Sequence, residues 1–141
     1  MQREDSLTLA LRVIPFSLPQ HRFAAPAARL LACAREAGHF DGMLNALFAG
    51  QDSLGLKDWT QYAEVAGWHA GVAADGCARS NAPVKFLDDA RAFGDRIGLQ
   101  STPTVVINGF RLNRVPTRAE LVDARDRVRA GRPPFEDSKA Q

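Results

Sequence analysis

Residues 101–109 read STPTVVING, and no other stretch narrows the fold of this chain as much. Val105, Val106 and Ile107 form a β-branched run suited to a pleated, well-covered strand. Asn108-Gly109 is a two-residue hairpin signal, and Phe110 to Leu112 supplies a short returning strand. Pro103 stands directly against the run, although proline has no N–H for a strand ladder and is confined to strand starts, edges and bulges. The strand is therefore expected over 104–107, beginning just after the proline and thoroughly buried. A last helix follows, marked by Thr117 and Glu120 in a T-x-x-E capping box that satisfies orphan N–H groups at its first turn. Leu121, Ala124 and Val128 form its expected inner face, and Gly131 with Pro133-Pro134 ends it.

The opposite end of the chain carries a second strand signal. In LTLALRVIPF, 7–16, Leu7, Leu9 and Leu11 alternate with Thr8, Ala10 and Arg12 before Val13-Ile14, and Pro15 and Pro19 stop the run. Between the two signals the period is helical. A helix is expected over 24–37, with Pro26 in its first turn, Ala27, Leu30, Leu31 and Ala34 inside, Cys33 at the margin and Gly38 as its stop. Phe40, Met43, Leu44, Leu47 and Phe48 mark a second, ending near Gly50. A third, over 57–66, has a stripe of Trp59, Tyr62 and Val65 or Ala66. A weaker one covers 70–79, where Gly71 and Gly76 each cost about 1 kcal/mol against alanine. A fifth runs over 84–97 up to Gly98. The order strand, helices, strand, hairpin, helix calls for a sheet with helices over its faces.

Composition removes several function classes. A chain of 141 residues, 45% apolar, is one ordinary domain able to bury a core. Its formal charge of +2 comes from 18 basic and 16 acidic residues spread along the chain, which argues against nucleic acid or an anionic membrane as partner. No apolar run approaches the roughly 20 residues of a membrane span. MQREDSLTL has acids where an export signal needs positive charge, so a chain complete as written would be cytoplasmic. His21, His39 and His69 are scattered, with no ligand spacing, so neither a metal nor a cofactor is expected. Asp88 and Asp89 fit a solvated helix face. Trp59, Tyr62 and Trp68 could line a groove, but core residues are the simpler reading. Cys33 and Cys77 form no CxxC pair and match no zinc pattern.

STPTVVINGFRLNRVPTRAEL resembles the closing β-β-α unit of the thioredoxin superfamily, in which a threonine and a cis-proline precede a core strand. PFSLPQHRFAAPAARLLACAREAGHFDGMLNALF resembles the strand exit and first insertion helices of the DsbA-like thiol–disulfide oxidoreductases, whose members carry a helical domain inserted into that fold. The two stretches stand in the family's order, and together they span nearly all of 7–131. The resemblance implies an α/β chain: strand and exit loop at 1–19, inserted helical region at 20–98, closing β-β-α unit at 99–132 and a loose tail at 133–141. It implies that Thr102 and Pro103 bind substrate, presenting free backbone groups to extended, cysteine-containing polypeptides. It also implies a periplasmic or other extracytoplasmic location. For Cys33 and Cys77 it offers a structural bridge, against two buried free thiols as the plain alternative.

The family's reaction needs a thiolate, usually the first cysteine of a CxxC at a helix N-terminus, and this chain has none. Its strand and first helix should precede Leu7, where only residues 1–6 stand. In the family that strand is central, so without it the strands at 7–16 and 104–107 face each other unpaired. Each orphaned buried group costs roughly 1–3 kcal/mol, against a domain's margin of about 5–15 kcal/mol. Two expectations follow: an incomplete, redox-inactive member whose catalytic segment lies outside this sequence, or a non-catalytic binding or assembly module completed by strand exchange with a partner or a second copy.

Overall fold

The structure is a computed structural model that describes residues 12–135. These form six helices and a two-stranded antiparallel sheet: α1 (Ala24–Glu36), α2 (Phe40–Ala49), a 3-10 turn (Gln51–Ser53), α3 (Trp59–Val65), α4 (Val72–Arg79), α5 (Lys85–Arg96), β1 (Val105–Ile107), β2 (Phe110–Leu112) and α6 (Arg118–Arg129). Each expected helix is present within a few residues of its expected ends. α1, α3, α5 and α6 stop in the same way, at Gly38, Gly67, Gly98 and Gly131, with φ between +61° and +80°. At each stop the glycine N–H and the next N–H bond back to carbonyls of the last turn, as in Gly98 to Asp95 at 3.1 Å and Leu99 to Gly94 at 2.9 Å.

The core belongs to the helical region. α1 packs against α2, α4 and α5, and α3 bridges α2 and α4. Leu30 and Met43 are fully buried, with Leu31, Leu47, Trp59 and Tyr62 around them. Ala34, Ala63, Ala74 and Ala78 supply the small contacts that let short helices approach closely. At Gly42 even a methyl group would strike the Ala66 carbonyl oxygen, so α2 lies directly on the end of α3. Cys33 and Cys77 are joined as a disulfide between α1 and α4, with Cα atoms 6.6 Å apart. Arg29 of α1 donates to the Ala82 carbonyl at 2.7 Å and so ties down the α4–α5 connection.

Five expectations are corrected. Arg12 to Phe16 is not strand; Pro15 and Pro19 withhold N–H donors, and the Phe16 ring instead lies against Gly94 of α5. The remaining part of that expected strand, 7–11, falls outside the described residues. β1 is not thoroughly buried: Val105 and Ile107 are half-buried and Val106 is 39% exposed, because only β2 pairs with it among the described residues. Phe48, 68% exposed, lies on a solvent face while Met43 and Leu47 fill the inner face of α2; in α3 the stripe of Trp59 and Tyr62 closes through Ala66, which packs on the core, and Val65 is 77% exposed. Leu121 stands at the surface, leaving Ala124 as the buried residue of α6. Pro133-Pro134 does not begin a loose tail, since Pro134 is fully buried and Arg127 Nε donates to the Pro133 carbonyl at 2.8 Å.

Candidate functional site

The loop carrying Thr102 and Pro103 spans the gap between the glycine stop of α5 and the first residue of β1. The Thr102–Pro103 peptide bond is cis, and both residues are exposed. Neither the N–H nor the C=O of Thr102 makes a hydrogen bond to another described residue. The neighbours on either side are held: Thr104 Oγ1 donates to the Ser101 carbonyl at 2.7 Å, and the Asn113 side-chain amide lies 3.4 Å from the same hydroxyl. A hydroxyl has one hydrogen, so the shorter contact takes it.

β1 continues from this loop. It pairs with β2, in the register Val105 with Leu112, Val106 with Arg111 and Ile107 with Phe110. Among the described residues its other edge faces no strand. Asn108 makes the hairpin turn with φ +49°, and Gly109 follows at +82°, the two positive φ values that an Asn-Gly turn of this type requires. An exposed peptide group at Thr102 that runs into an unpaired strand edge is a surface on which an extended chain can add itself by main-chain hydrogen bonding.

Behind the hairpin, α6 begins with the full capping box. The Glu120 N–H donates to Thr117 Oγ1 at 3.2 Å and the Thr117 N–H to Glu120 Oε2 at 2.7 Å. Arg114 adds a bidentate grip on the same carboxylate. The Arg114 hydrogen bond, then the one from the Thr117 backbone, hold the Glu120 carboxyl down at about 2.

The other candidates gather no chemistry. Cys33 lies near the C-terminal end of α1 and Cys77 near that of α4, so neither has a helix N-terminus to stabilise a thiolate, and in the disulfide neither sulfur is free. Trp59 and Tyr62 are core residues: their rings lie 5.8 Å apart, and the Tyr62 hydroxyl donates to the Gly50 carbonyl at 3.0 Å. His69 pairs with Glu64 at 2.6 Å on the surface, and Asp89 pairs with Lys85. Asp88 is exposed. A half-open cleft of about 210 Å³ near the start of α1 is lined by Phe23, Pro26, Trp59 and Arg79 among others, and has no cysteine or histidine in its wall. No described helix is long and apolar enough to cross a membrane.

One residue of this region was not legible in the sequence. Arg111, in the middle of β2, reaches the end of α5 and donates to the carbonyls of Ile97 at 2.7 Å and Gly98 at 2.9 Å. Its only sequence signal is a charge inside the apolar triplet Phe110-Arg111-Leu112, which is equally the mark of a solvent-facing strand position. No protein-family model, no curated protein and no solved structure matches this chain.

Proposed function

We propose that this chain is the polypeptide-binding portion of a DsbA-like thiol–disulfide oxidoreductase. In this reading a thioredoxin-like fold carries the helices of 20–98 as its insertion and offers Thr102 and Pro103 to an extended, cysteine-containing substrate. The observation that carries the reading is the exposed Thr102 backbone, unpaired among the described residues, leading into a β1 edge that faces no described strand. An extended peptide laid there would gain main-chain hydrogen bonds that any sequence can make, as a folding-related oxidoreductase needs. The chain itself supplies no attacking thiolate. The CxxC pair then comes from outside these 141 residues. An extracytoplasmic, oxidising compartment belongs to the same reading and is in keeping with the Cys33–Cys77 disulfide.

The test is a titration followed by backbone amide NMR, using a short unstructured peptide with serine in place of its cysteine. Shifts concentrated at Thr102 and Val105–Ile107, with α1–α4 unmoved, are expected. No shifts, or shifts elsewhere only, overturn the reading. Translation of the in-frame DNA upstream should show an apolar strand followed by CxxC; stop codons immediately upstream count heavily against an external catalytic segment of the same gene.

A second reading has its own observation. Val106 is 39% exposed on a strand with one edge free among the described residues, which also suits a second copy of this chain pairing edge to edge as a non-catalytic assembly module. Sedimentation over a range of concentrations separates the two: a folded monomer throughout excludes strand exchange between copies.

A further inference from the structure

The substrate loop in the proposed reading has to keep its shape without a strand on its outer side, and the structure provides a device for this. α5 closes at Arg96 with Ile97 as its C-cap, whose carbonyl no intrahelical N–H reaches and which lies at the negative end of the helix dipole, and the Gly98 carbonyl stands just beyond it. The Arg111 guanidinium answers both, at 2.7 and 2.9 Å. Gly98 supplies the left-handed turn, φ +61°, on which the chain leaves the helix; a methyl group there would still be in ordinary contact with Arg111 Nη1, at 3.9 Å. Arg111 is in turn fixed by β pairing, opposite Val106. The chain therefore makes a closed circuit: end of α5, loop 99–104, β1, turn, β2, and back through the Arg111 side chain to the end of α5. Both ends of the loop are held in one body, and Thr104 Oγ1 to the Ser101 carbonyl braces it within.

We infer that Arg111 is the positioning residue of the peptide-binding loop, acting through the α5 carbonyls to hold Thr102 ready for an incoming strand. This rests on the reading of 102–107 as a polypeptide-binding edge. A loop already ordered has less freedom to lose on binding, so removing its clamp weakens affinity without removing any group that touches the peptide. Lysine is an incomplete substitute, because a single ammonium on a flexible stem lacks the planar fork that meets two carbonyls at once.

The test compares wild type with Arg111→Met, Arg111→Lys and Arg29→Met. Arg29→Met is the structural control, since it removes a 2.7 Å side-chain to carbonyl bond at the other end of α5. With the serine peptide as probe and all proteins below their unfolding transitions, Arg111→Met should weaken binding about tenfold, Arg111→Lys by less, and Arg29→Met by under twofold. In the free proteins, the order parameters of 99–104 should fall from about 0.85 to below 0.6 in Arg111→Met alone. If wild type binds no peptide, the underlying reading fails, and the order parameters still decide whether Arg111 holds the loop. If wild type binds and Arg111→Met binds equally well, or if Arg29→Met loses as much, the inference about Arg111 is wrong while the binding edge stands.

Discussion

The helical region is much richer in apolar residues than the closing β-β-α unit, and the two come out differently. In the helical region every inward stripe meets another: Leu30 of α1, Met43 of α2, Ala63 of α3 and Ala74 of α4 converge with no exposed surface left on any of them. In the closing unit Ala124 and Pro134 are buried, but Val106, Val115, Leu121 and Val122 remain at the surface. A helix bundle can complete its own core from local neighbours, whereas a two-stranded hairpin is marginal until a third strand or a helix covers it. Exposed apolar residues are not confined to the closing unit, since Phe48, Leu56, Val65 and Val72 also face solvent; what sets the hairpin apart is that, among the described residues, β1 has a strand on one edge alone.

The largest expected effect tests whether the helical region is as self-contained as this comparison makes it. Replacing both Cys33 and Cys77 by alanine opens a long loop in the unfolded chain and should cost about 4 kcal/mol in the chain-entropy view. Both tryptophans, Trp59 and Trp68, lie in the helical region, so their fluorescence in a urea titration reports on it alone, while hairpin amides report on β1 and β2. A lower fluorescence midpoint, with the hairpin signals retained at the old midpoint, would show two units; a joint shift would show one. Next in size is a matched pair of truncations. Leu30→Ala should cost about 3 kcal/mol, within the range for a fully buried leucine, and Val106→Ala about 0.5 kcal/mol or less. A large cost at Val106 would mean that β1 is covered in solution by something the comparison leaves out.

This contrast also explains what could be read from the sequence. Helix positions and ends were legible because each signal is local: the Ala and Leu spacing of α1, Gly38 and Gly98 as stops, Thr117 with Glu120 at the start of α6. The hairpin was legible in the same way from Asn108-Gly109. Burial in the closing unit was not, because a β-branched run such as Val105-Val106-Ile107 looks the same whether or not a neighbour covers it; cover is a tertiary fact. For Leu121 the same holds, its face being apolar by period but left open by the fold. Arg12 to Phe16 failed for a related reason, since alternation is necessary for a half-buried strand and not sufficient without a partner edge. Of the candidate site, Thr102 and Pro103 entered through the resemblance of their stretch to a known closing unit, whereas Arg111 makes a contact with the end of α5 that no spacing in the sequence encodes.

The smaller effects sharpen the closing unit's side of the comparison. Thr117→Ala removes the acceptor for the Glu120 N–H and should cost about 1 kcal/mol, seen as a lower midpoint for α6 amides before those of α1. The smallest effect expected is a pH dependence at the same helix start. Glu120 is held at about 2 in the folded protein by the Arg114 and Thr117 hydrogen bonds, below its ordinary 4.5. Its contribution is therefore complete above about pH 4.5 and is lost as the pH falls toward about 2. Wild type should lose α6 stability in that window more steeply than Glu120→Gln, whose side chain does not titrate, and the gap should narrow in high salt because the Arg114–Glu120 pair faces water. Equal slopes would mean that the carboxylate is already dispensable to the helix start, and that the closing unit owes its order to the hairpin and to Arg111 rather than to its cap.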